Sequence, residues 1–268
     1  MAEFVDEDLD GSRFDHTKLV GARFNRVDLT GADFRSVDLC GVTVRNTDLR
    51  GVVMRGVEFV DVDIYGEIGN VVINGVEVSG LVNAELDRRY PDRPKMRPTD
   101  AAGFREGWDT VERLWAATVQ RARGLEPTLL HESVGGEWSF IETLRHLAFA
   151  TDVWVGRAIL GDPSPWHPLD LPWDEMPDTP EVPRDRAVRP SLDEVLELRR
   201  TRMATVREVI ESLTDESLEG HTEPVEGPGY PPPNDYPVRE CLLTVLNEEW
   251  EHRLYAERDL AALTERRE

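Results

Sequence analysis

A carboxylate and an imidazole stand four residues apart near the C-terminal end of the sequence, at Glu248 and His252. On a helix this spacing places both side chains on one face, one turn apart, where both can bind a single ion. A second imidazole, His146, can supply a third ligand from a facing helix. Three ligands of this kind leave coordination positions open for water or substrate, as catalytic metal sites require. The predicted metal ligands are therefore His146, Glu248 and His252.

Simpler explanations of the same residues stay open. A Glu and a His at this spacing also form an ordinary contact on an exposed helix surface. His146 lies off the main apolar stripe of its own segment, as a solvated residue would, although a minor apolar stripe flanks it. Val245 and Tyr255 lie on the same helical face as the pair, which favours an inward position. Glu249 is the neighbouring carboxylate, and it would replace Glu248 as the ligand if the helix were rotated.

Four segments in the C-terminal part of the chain carry the patterns of long helices. In two of them a Ser, at positions 139 and 191, is followed three residues later by Glu, which is the capping box that opens a helix. The predicted helices run over residues 99 to about 122, 139 to about 160, 192 to about 213, and about 238 to 263. Four long helices in a domain of ordinary size favour an antiparallel bundle.

Two proline-rich stretches connect these helices. The first loop comprises residues 161–190 and contains Trp166 and Trp173, and the second loop comprises residues 220–237. Long ordered loops on a bundle can form the walls or the lid of a pocket. They can equally be structural straps that cover a thin core, and both interpretations stay open.

Short motifs in the helical part resemble the DinB-like metalloprotein superfamily. They are Gly136-Glu137-Trp138-Ser139, Leu144-Arg145-His146-Leu147, and the segment from Glu248 to His252. The similarity covers roughly residues 99 to 265 and is greatest to the actinobacterial branch, whose relatives include mycothiol-dependent isomerases and thiol transferases. It implies a four-helix bundle with one His ligand on the second helix and a His-x-x-x-His pair on the fourth. His146 and His252 match that pattern, and Glu248 stands where the family usually has His.

The resemblance also implies a chemistry. It implies a divalent transition metal such as zinc, nickel or iron, with mycothiol as a thiol cosubstrate, in a transferase or hydrolase that acts on a small-molecule substrate. A metal of this kind activates a thiol or a water for attack on an electrophile. A carboxylate in place of an imidazole adds one negative charge to the ligand set and suits harder metals, so the metal is left open among these three.

The N-terminal part of the chain carries an apolar residue at every fifth position. The row runs through Phe4, Leu9, Phe14, Leu19, Phe24, Leu29, Phe34, Leu39, Val44, Leu49, Met54, Phe59 and Ile64. A period of five matches neither a helix nor a strand. It indicates a repeat whose units stack to share one core, which predicts inward positions for Phe14, Phe24, Leu29 and Phe34.

Units such as Ala22-Arg23-Phe24-Asn25-Arg26 resemble the pentapeptide-repeat family. This resemblance covers roughly residues 4 to 78 and implies a right-handed quadrilateral β-helix with four units in each coil. The chain is therefore predicted to be a multidomain β + α protein. Residues 1–80 would form the pentapeptide-repeat β-helix, residues 81–98 a capping segment with a proline-rich linker, and residues 99–268 a DinB-like antiparallel four-helix bundle.

Charge and composition exclude several classes of protein. The 268 residues include 53 acidic and 31 basic side chains, and the formal net charge of -22 disfavours direct binding to nucleic acids. The first residues carry acid where a secretory signal carries base, and no apolar run reaches the length of a membrane span. Cys40 and Cys241 indicate neither a disulfide scaffold nor a thiolate metal site. We therefore expect a cytoplasmic protein with no membrane contact.

Three functions are compatible with these patterns. The first is a DinB-like metalloenzyme with a pentapeptide-repeat docking module. The second is a non-catalytic interaction protein that uses the acidic repeat solenoid as a DNA mimic or scaffold, and the third is a metal-free bundle that binds a small molecule. Residues 1–98 hold 18 acidic and 13 basic side chains, whereas residues 99–268 hold 35 and 18. Because the charge is concentrated outside the repeats, we expect them to bind a protein partner or a second copy rather than to mimic DNA.

Overall fold

The computed structural model describes residues 3–45 and 47–266. Contacts divide the chain into two units, Met1–Ile64 and Tyr65–Glu268. The predicted domain boundaries near residues 80 and 98 stay predictions. Among the described residues, no helix combines the length and the apolar character that crossing a lipid bilayer requires.

The period of five is visible in the backbone of the first unit. Residues with left-handed backbone conformation recur at every fifth position, with φ between 50° and 76°. Those described are Asp6, Gly11, His16, Gly21, Arg26, Gly31, Ser36, Gly41, Gly51, Gly56 and Asp61. Glycine adopts this conformation without steric cost, which explains its return at alternate positions from 11 to 51. The sequence repeat is therefore also a conformational repeat.

The apolar row of this unit is exposed, and the prediction that it points inward is wrong for this structure. The side chains predicted to be inside are 49 to 62% exposed: Phe14, Phe24, Leu29 and Phe34. The backbone hydrogen bonds described in this unit close local turns, such as Ser12 N to Leu9 O at 3.0 Å. The described part of the chain shows no backbone hydrogen bonds between successive coils, which would be needed to enclose an interior. The β-helix is therefore not confirmed.

The second unit begins with a two-stranded hairpin. β1 (Val72–Ile73) pairs antiparallel with β2 (Val76–Glu77). Asn74 and Gly75 form the turn with φ of 50° and 83°. Two successive positive φ values are typical of the type I′ turn that an Asn-Gly sequence favours. The helix α1 (Ser79–Arg89) follows and covers the first half of residues 81–98, the predicted capping segment and linker.

Four long helices form the main body of the second unit. They are α2 (Ala101–Arg123), α3 (Phe140–Thr151), α4 (Leu192–Ser212) and α6 (Val238–Glu265), with the one-turn helix α5 (Asp215–Leu218) and 3₁₀ turns at Arg93–Met96 and Pro127–His131 between them. A π-helical segment, Asp152–Ile159, continues α3. The predicted helix limits are confirmed to within about two residues at each end.

An apolar stripe of each long helix faces the common core. Side chains below 2% exposure come from all four helices: Phe104 and Trp108 of α2, Leu144 of α3, Ile210 of α4 and Leu242 of α6. Burial of one such side chain stabilises the fold by roughly 1.5 to 3 kcal/mol. The helix α3 packs against both α4 and α6. The core therefore brings the helix of His146 beside the helix of Glu248 and His252.

Ser191 begins α4 as the capping box predicts. Its hydroxyl accepts a hydrogen bond from Glu194 N at 3.3 Å, and the Glu194 carboxylate accepts one from Ser191 N at 2.7 Å. We expect Ser191→Ala to lower the free energy of unfolding in urea by about 1 kcal/mol. Glu208→Ala, at an exposed position of the same helix, should change it by less than about 0.5 kcal/mol. Equal effects of the two substitutions would contradict a role for the cap.

A buried arginine holds the two proline-rich loops against the π-helical segment. Arg157 donates to the carbonyl of Pro163 in the first loop at 2.6 Å and to the carbonyl of Val225 in the second loop at 2.9 Å. Its side chain is among the largest fully buried ones. Buried carbonyls need donors, and this guanidinium supplies them to both loops at once. The loops are therefore ordered parts of the unit.

Candidate metal centre

His146 on α3 converges with Glu248 and His252 on α6. One carboxylate oxygen of Glu248 lies 3.3 Å from Nε2 of His146 and 3.0 Å from Nε2 of His252. One ligand atom from each of the three residues lies within 4.8 Å of the other two. The four-residue spacing thus places Glu248 and His252 on one face of α6, as the sequence pattern predicts.

These separations fit a shared ion. Two donors that each lie about 2.1 Å from a metal are about 3.4 Å apart at a tetrahedral angle and about 3.0 Å apart at a right angle. The two separations that involve Glu248, 3.3 and 3.0 Å, lie within that interval. Two imidazole nitrogens and one carboxylate oxygen are also a donor set that divalent transition metals accept. The residues present therefore fit a metal of this class.

The hydrogen bond at Nδ1 of His146 determines what its other nitrogen can do. Nδ1 lies 3.0 Å from the backbone carbonyl of Leu171, and a carbonyl can only accept, so Nδ1 carries the proton. In a neutral imidazole Nε2 is then an acceptor. It faces the carboxylate of Glu248, which is also an acceptor, at 3.3 Å. Two facing acceptors are unfavourable, and a cation between them removes the repulsion.

The electrostatic surroundings favour a neutral His146. Burial lowers the pKa of His146, and this outweighs the opposite effect of Glu248. Burial raises the pKa of Glu248, but the hydrogen bonds and charges of His146 and His252 hold it well below its usual range. The two shifts oppose each other, because the low pKa of Glu248 depends in part on a protonated His146. The His146 side chain is only 8% exposed, and at neutral pH we expect its desolvation to prevail.

Glu249, the alternative ligand, is bound elsewhere. Its two carboxylate oxygens accept hydrogen bonds from Nη1 and Nη2 of Arg199 on α4, both at 2.7 Å. The side chains of Glu249 and Arg199 are 0 and 3% exposed, respectively. Because both oxygens are engaged in this buried ion pair, Glu249 is not part of the three-residue cluster.

Aromatic rings fix the orientation of both histidines. The ring of Trp138 lies 4.5 Å from that of His146 and is stacked on that of His252 at 5.8 Å, with 9° between their planes. Tyr255 meets His252 edge-on at 5.7 Å. Trp138 directly precedes Ser139, the residue that caps α3, and this position in the sequence is the one signal that its ring lies near the histidines. The carbonyl of Leu171 has no such signal, because any residue of a loop can offer one.

A small cavity of about 40 Å³ adjoins His146 and Glu248. Its other walls are apolar and mostly aromatic: Phe149, Ala150, Val153, Trp154, Trp173 and Tyr230. Trp173 belongs to the first loop and Tyr230 to the second, and their rings lie 4.9 Å apart. The cavity has room for a few water molecules or one small apolar group. Both proline-rich loops therefore contribute walls to it.

A larger groove of about 710 Å³ lies between α2 and α4, with Trp115, Met203 and Arg199 among its lining residues. None of the three candidate ligands lines this groove. Glu248 and His252 are 30% and 19% exposed at their side chains, so the cluster is accessible without it. We therefore place the candidate site at the smaller cavity.

Comparisons with known families match both parts of the chain. Residues 110–256 match the family model described as the DinB superfamily, and this range contains all three candidate ligands. The model described as pentapeptide repeats matches in eight copies, over residues 8–46 and 32–66. Comparison with curated proteins and with solved structures gave no match. Both sequence resemblances are therefore confirmed.

Proposed function

Because the chain belongs to the DinB superfamily, we propose that its helical domain is a metal-dependent enzyme. His146, Glu248 and His252 hold a divalent transition metal, which is zinc, nickel or iron. The proposed reaction is the transfer of a thiol, of the mycothiol type, to an electrophilic small molecule, or the hydrolysis of such a molecule.

The facing acceptors at His146 and Glu248 carry this proposal. A neutral His146 that donates from Nδ1 to Leu171 presents a lone pair to a carboxylate at 3.3 Å. An ordinary helix-surface contact between a Glu and a His does not need a second, nearly buried imidazole at the same oxygen. A cation satisfies all three groups at once, which is why we prefer a metal site to a surface ion pair.

When bound, such a metal lowers the pKa of a thiol or a water and supplies a nucleophile near neutral pH. The residues of the chain perform the remaining tasks. The Leu171 carbonyl keeps the proton of His146 on Nδ1, and Glu248 adds one negative charge to the ligand set. Trp138 restrains both imidazoles. The aromatic cavity accepts a small apolar part of the substrate and excludes water from it.

We further propose that the pentapeptide-repeat region is a docking module for a protein partner or for a second copy of the chain. Exposed apolar side chains at every fifth position support a contact surface there. The β-helix that the repeat family implies belongs to this proposal. If the helical domain binds no metal, a non-catalytic interaction protein or a metal-free small-molecule-binding bundle becomes the better interpretation.

Metal analysis tests the enzyme proposal. Protein purified without a chelator or a metal-affinity tag is expected to contain about one equivalent of a transition metal. His252→Ala should reduce this content to near zero, because it removes one of three ligands. His221→Ala, which changes an exposed histidine of the second loop, should leave the content unchanged. A metal content near zero in the parent, even after incubation with zinc, nickel or ferrous iron, would refute the proposal.

A further inference from the structure

Two buried carboxyl groups meet one arginine near the metal centre. Asp152 lies on the π-helical segment, Asp170 in the first loop and Arg202 on α4. Arg202 donates from Nε and Nη2 to one oxygen of Asp152, at 3.1 and 2.8 Å. The carboxyl groups of Asp152 and Asp170 lie beside each other, and Asp170 is fully buried. The cluster therefore joins three elements of the fold.

The charges in this cluster balance only if one carboxyl keeps its proton. One arginine neutralises one carboxylate, and a second buried carboxylate beside it would be strongly unfavourable. Oδ2 of Asp170 accepts from His167 N at 2.7 Å, whereas the buried Oδ1 has no hydrogen-bond partner among the described residues, as suits a carboxyl oxygen that carries a proton. Burial and the neighbouring Asp152 raise the pKa of Asp170 well above its usual range. Asp170 is thus the group that holds the shared proton at neutral pH.

Asp170 immediately precedes the residue that orients His146. Its backbone N donates to His167 O at 2.8 Å, and its side chain accepts from His167 N. Two hydrogen bonds between residues 167 and 170 therefore stabilise this turn. Arg202 also donates to Pro165 O in the same loop, at 3.2 Å. The next carbonyl along the chain is that of Leu171, which accepts from Nδ1 of His146.

We propose that protonated Asp170 is a positioning residue of the metal site, which holds the first loop so that the Leu171 carbonyl keeps the proton of His146 on Nδ1. The tautomer of His146 is a property of the metal-free chain. Only its consequence for metal binding rests on the proposed function. A loop that served merely as a strap would not couple the protonation of Asp170 to the tautomer of His146.

The proposal has a defined pH dependence. The charge balance with one hydrogen-bonded arginine leads us to expect the proton on Asp170 at neutral pH, and because burial and Asp152 raise the pKa of Asp170, that proton is lost only as the pH rises through the raised pKa. Two facing carboxylates then repel each other, and the described hydrogen bonds of Arg202 reach Asp152 but not Asp170, which loosens the loop. The charged and titratable groups around this pair, from all elements packed against it, are Arg202, Arg145, Asp162 and His167.

Nitrogen-15 NMR of histidine-labelled, metal-free protein tests the proposal, since it reports which ring nitrogen of His146 carries the proton. In the parent we expect the Nδ1–H form at neutral pH and a mixture of both tautomers at alkaline pH. Asp170→Asn cannot ionise and can donate to Asp152, so it should keep the Nδ1–H form throughout. Asp170→Leu removes the hydrogen bond and should give the mixture at every pH. Asp178→Asn, at an exposed acid of the same loop, should behave as the parent does.

Two results would overturn the inference. One is an Nδ1–H form that persists in Asp170→Leu while circular dichroism shows the parent helix content. The other is a transition in Asp170→Asn at the same pH as in the parent. Zinc titration distinguishes failure of this inference from failure of the proposed function. If the inference holds, Asp170→Asn should keep its zinc affinity at alkaline pH, where the parent loses it. Absence of zinc binding in every variant would refute the metal site and leave the tautomer result standing.

Discussion

Glu248→Gln is expected to lower the zinc affinity of the folded protein by at least about 100-fold. Loss of a partner that merely orients a ligand costs roughly 10- to 100-fold in metal affinity, and a directly bound charged ligand should cost no less. Gln keeps the size of the side chain but removes the charge that lies between His146 and His252. Isothermal titration of the metal-free variant with zinc measures the effect, and its thermal unfolding should show an intact fold.

Glu248→His is the matched control for this substitution. It restores the three-imidazole ligand set that is usual in DinB-like proteins, so it should keep zinc affinity within about tenfold of the parent. The chemistry of the side chain at position 248, and not its bulk alone, would then determine binding. Unchanged affinity in Glu248→Gln would instead mean that Glu248 is not a ligand.

Glu249→Gln should have the opposite effect: it should lower the free energy of unfolding strongly and leave the zinc affinity unchanged. It leaves the buried guanidinium of Arg199 without its counter-charge, which typically costs about 3 to 5 kcal/mol. Urea denaturation monitored by tryptophan fluorescence gives the free energy of unfolding. In buffer without denaturant the folded fraction should bind zinc as the parent does, because Glu249 lies outside the cluster.

The pair of Glu249 and Arg199 offers its own control. The double variant Glu249→Leu with Arg199→Met removes both charges and fills the space with apolar side chains, and it should recover most of the lost stability. If Glu249→Gln weakened zinc binding while Glu248→Gln did not, the ligand assignment would be reversed.

The helices and the three candidate ligands can be predicted from the sequence because their signals are local. Capping boxes at Ser139 and Ser191 fix two helix starts, and the spacing of Glu248 and His252 fixes their common face. The choice between Glu248 and Glu249 as the ligand cannot be made from such local signals. It depends on how α6 is rotated in the bundle, and the partner that settles it, Arg199, lies 50 residues away in the chain.

Two further features lie outside what such patterns can predict. The Leu171 carbonyl is a backbone group in an irregular loop, and its role follows only from where Asp170 and Arg202 hold that loop. In the repeat region the period of five recurs in the left-handed backbone positions. It does not by itself produce the hydrogen bonds between coils that would bury Phe24 and its equivalents, since those depend on contacts beyond one unit.

The shared attachment of the two proline-rich loops constrains how this scaffold can diversify. The four hydrogen bonds that Arg157 makes with described residues all go to backbone carbonyls, one in the first loop and three in the second. Both loops also carry an aromatic wall of the cavity. Replacement of one loop alone would leave the buried guanidinium of Arg157 without some of its hydrogen-bond acceptors, which is unfavourable. Loops that reshape the cavity must therefore be inherited, or grafted by an engineer, as a matched pair together with Arg157.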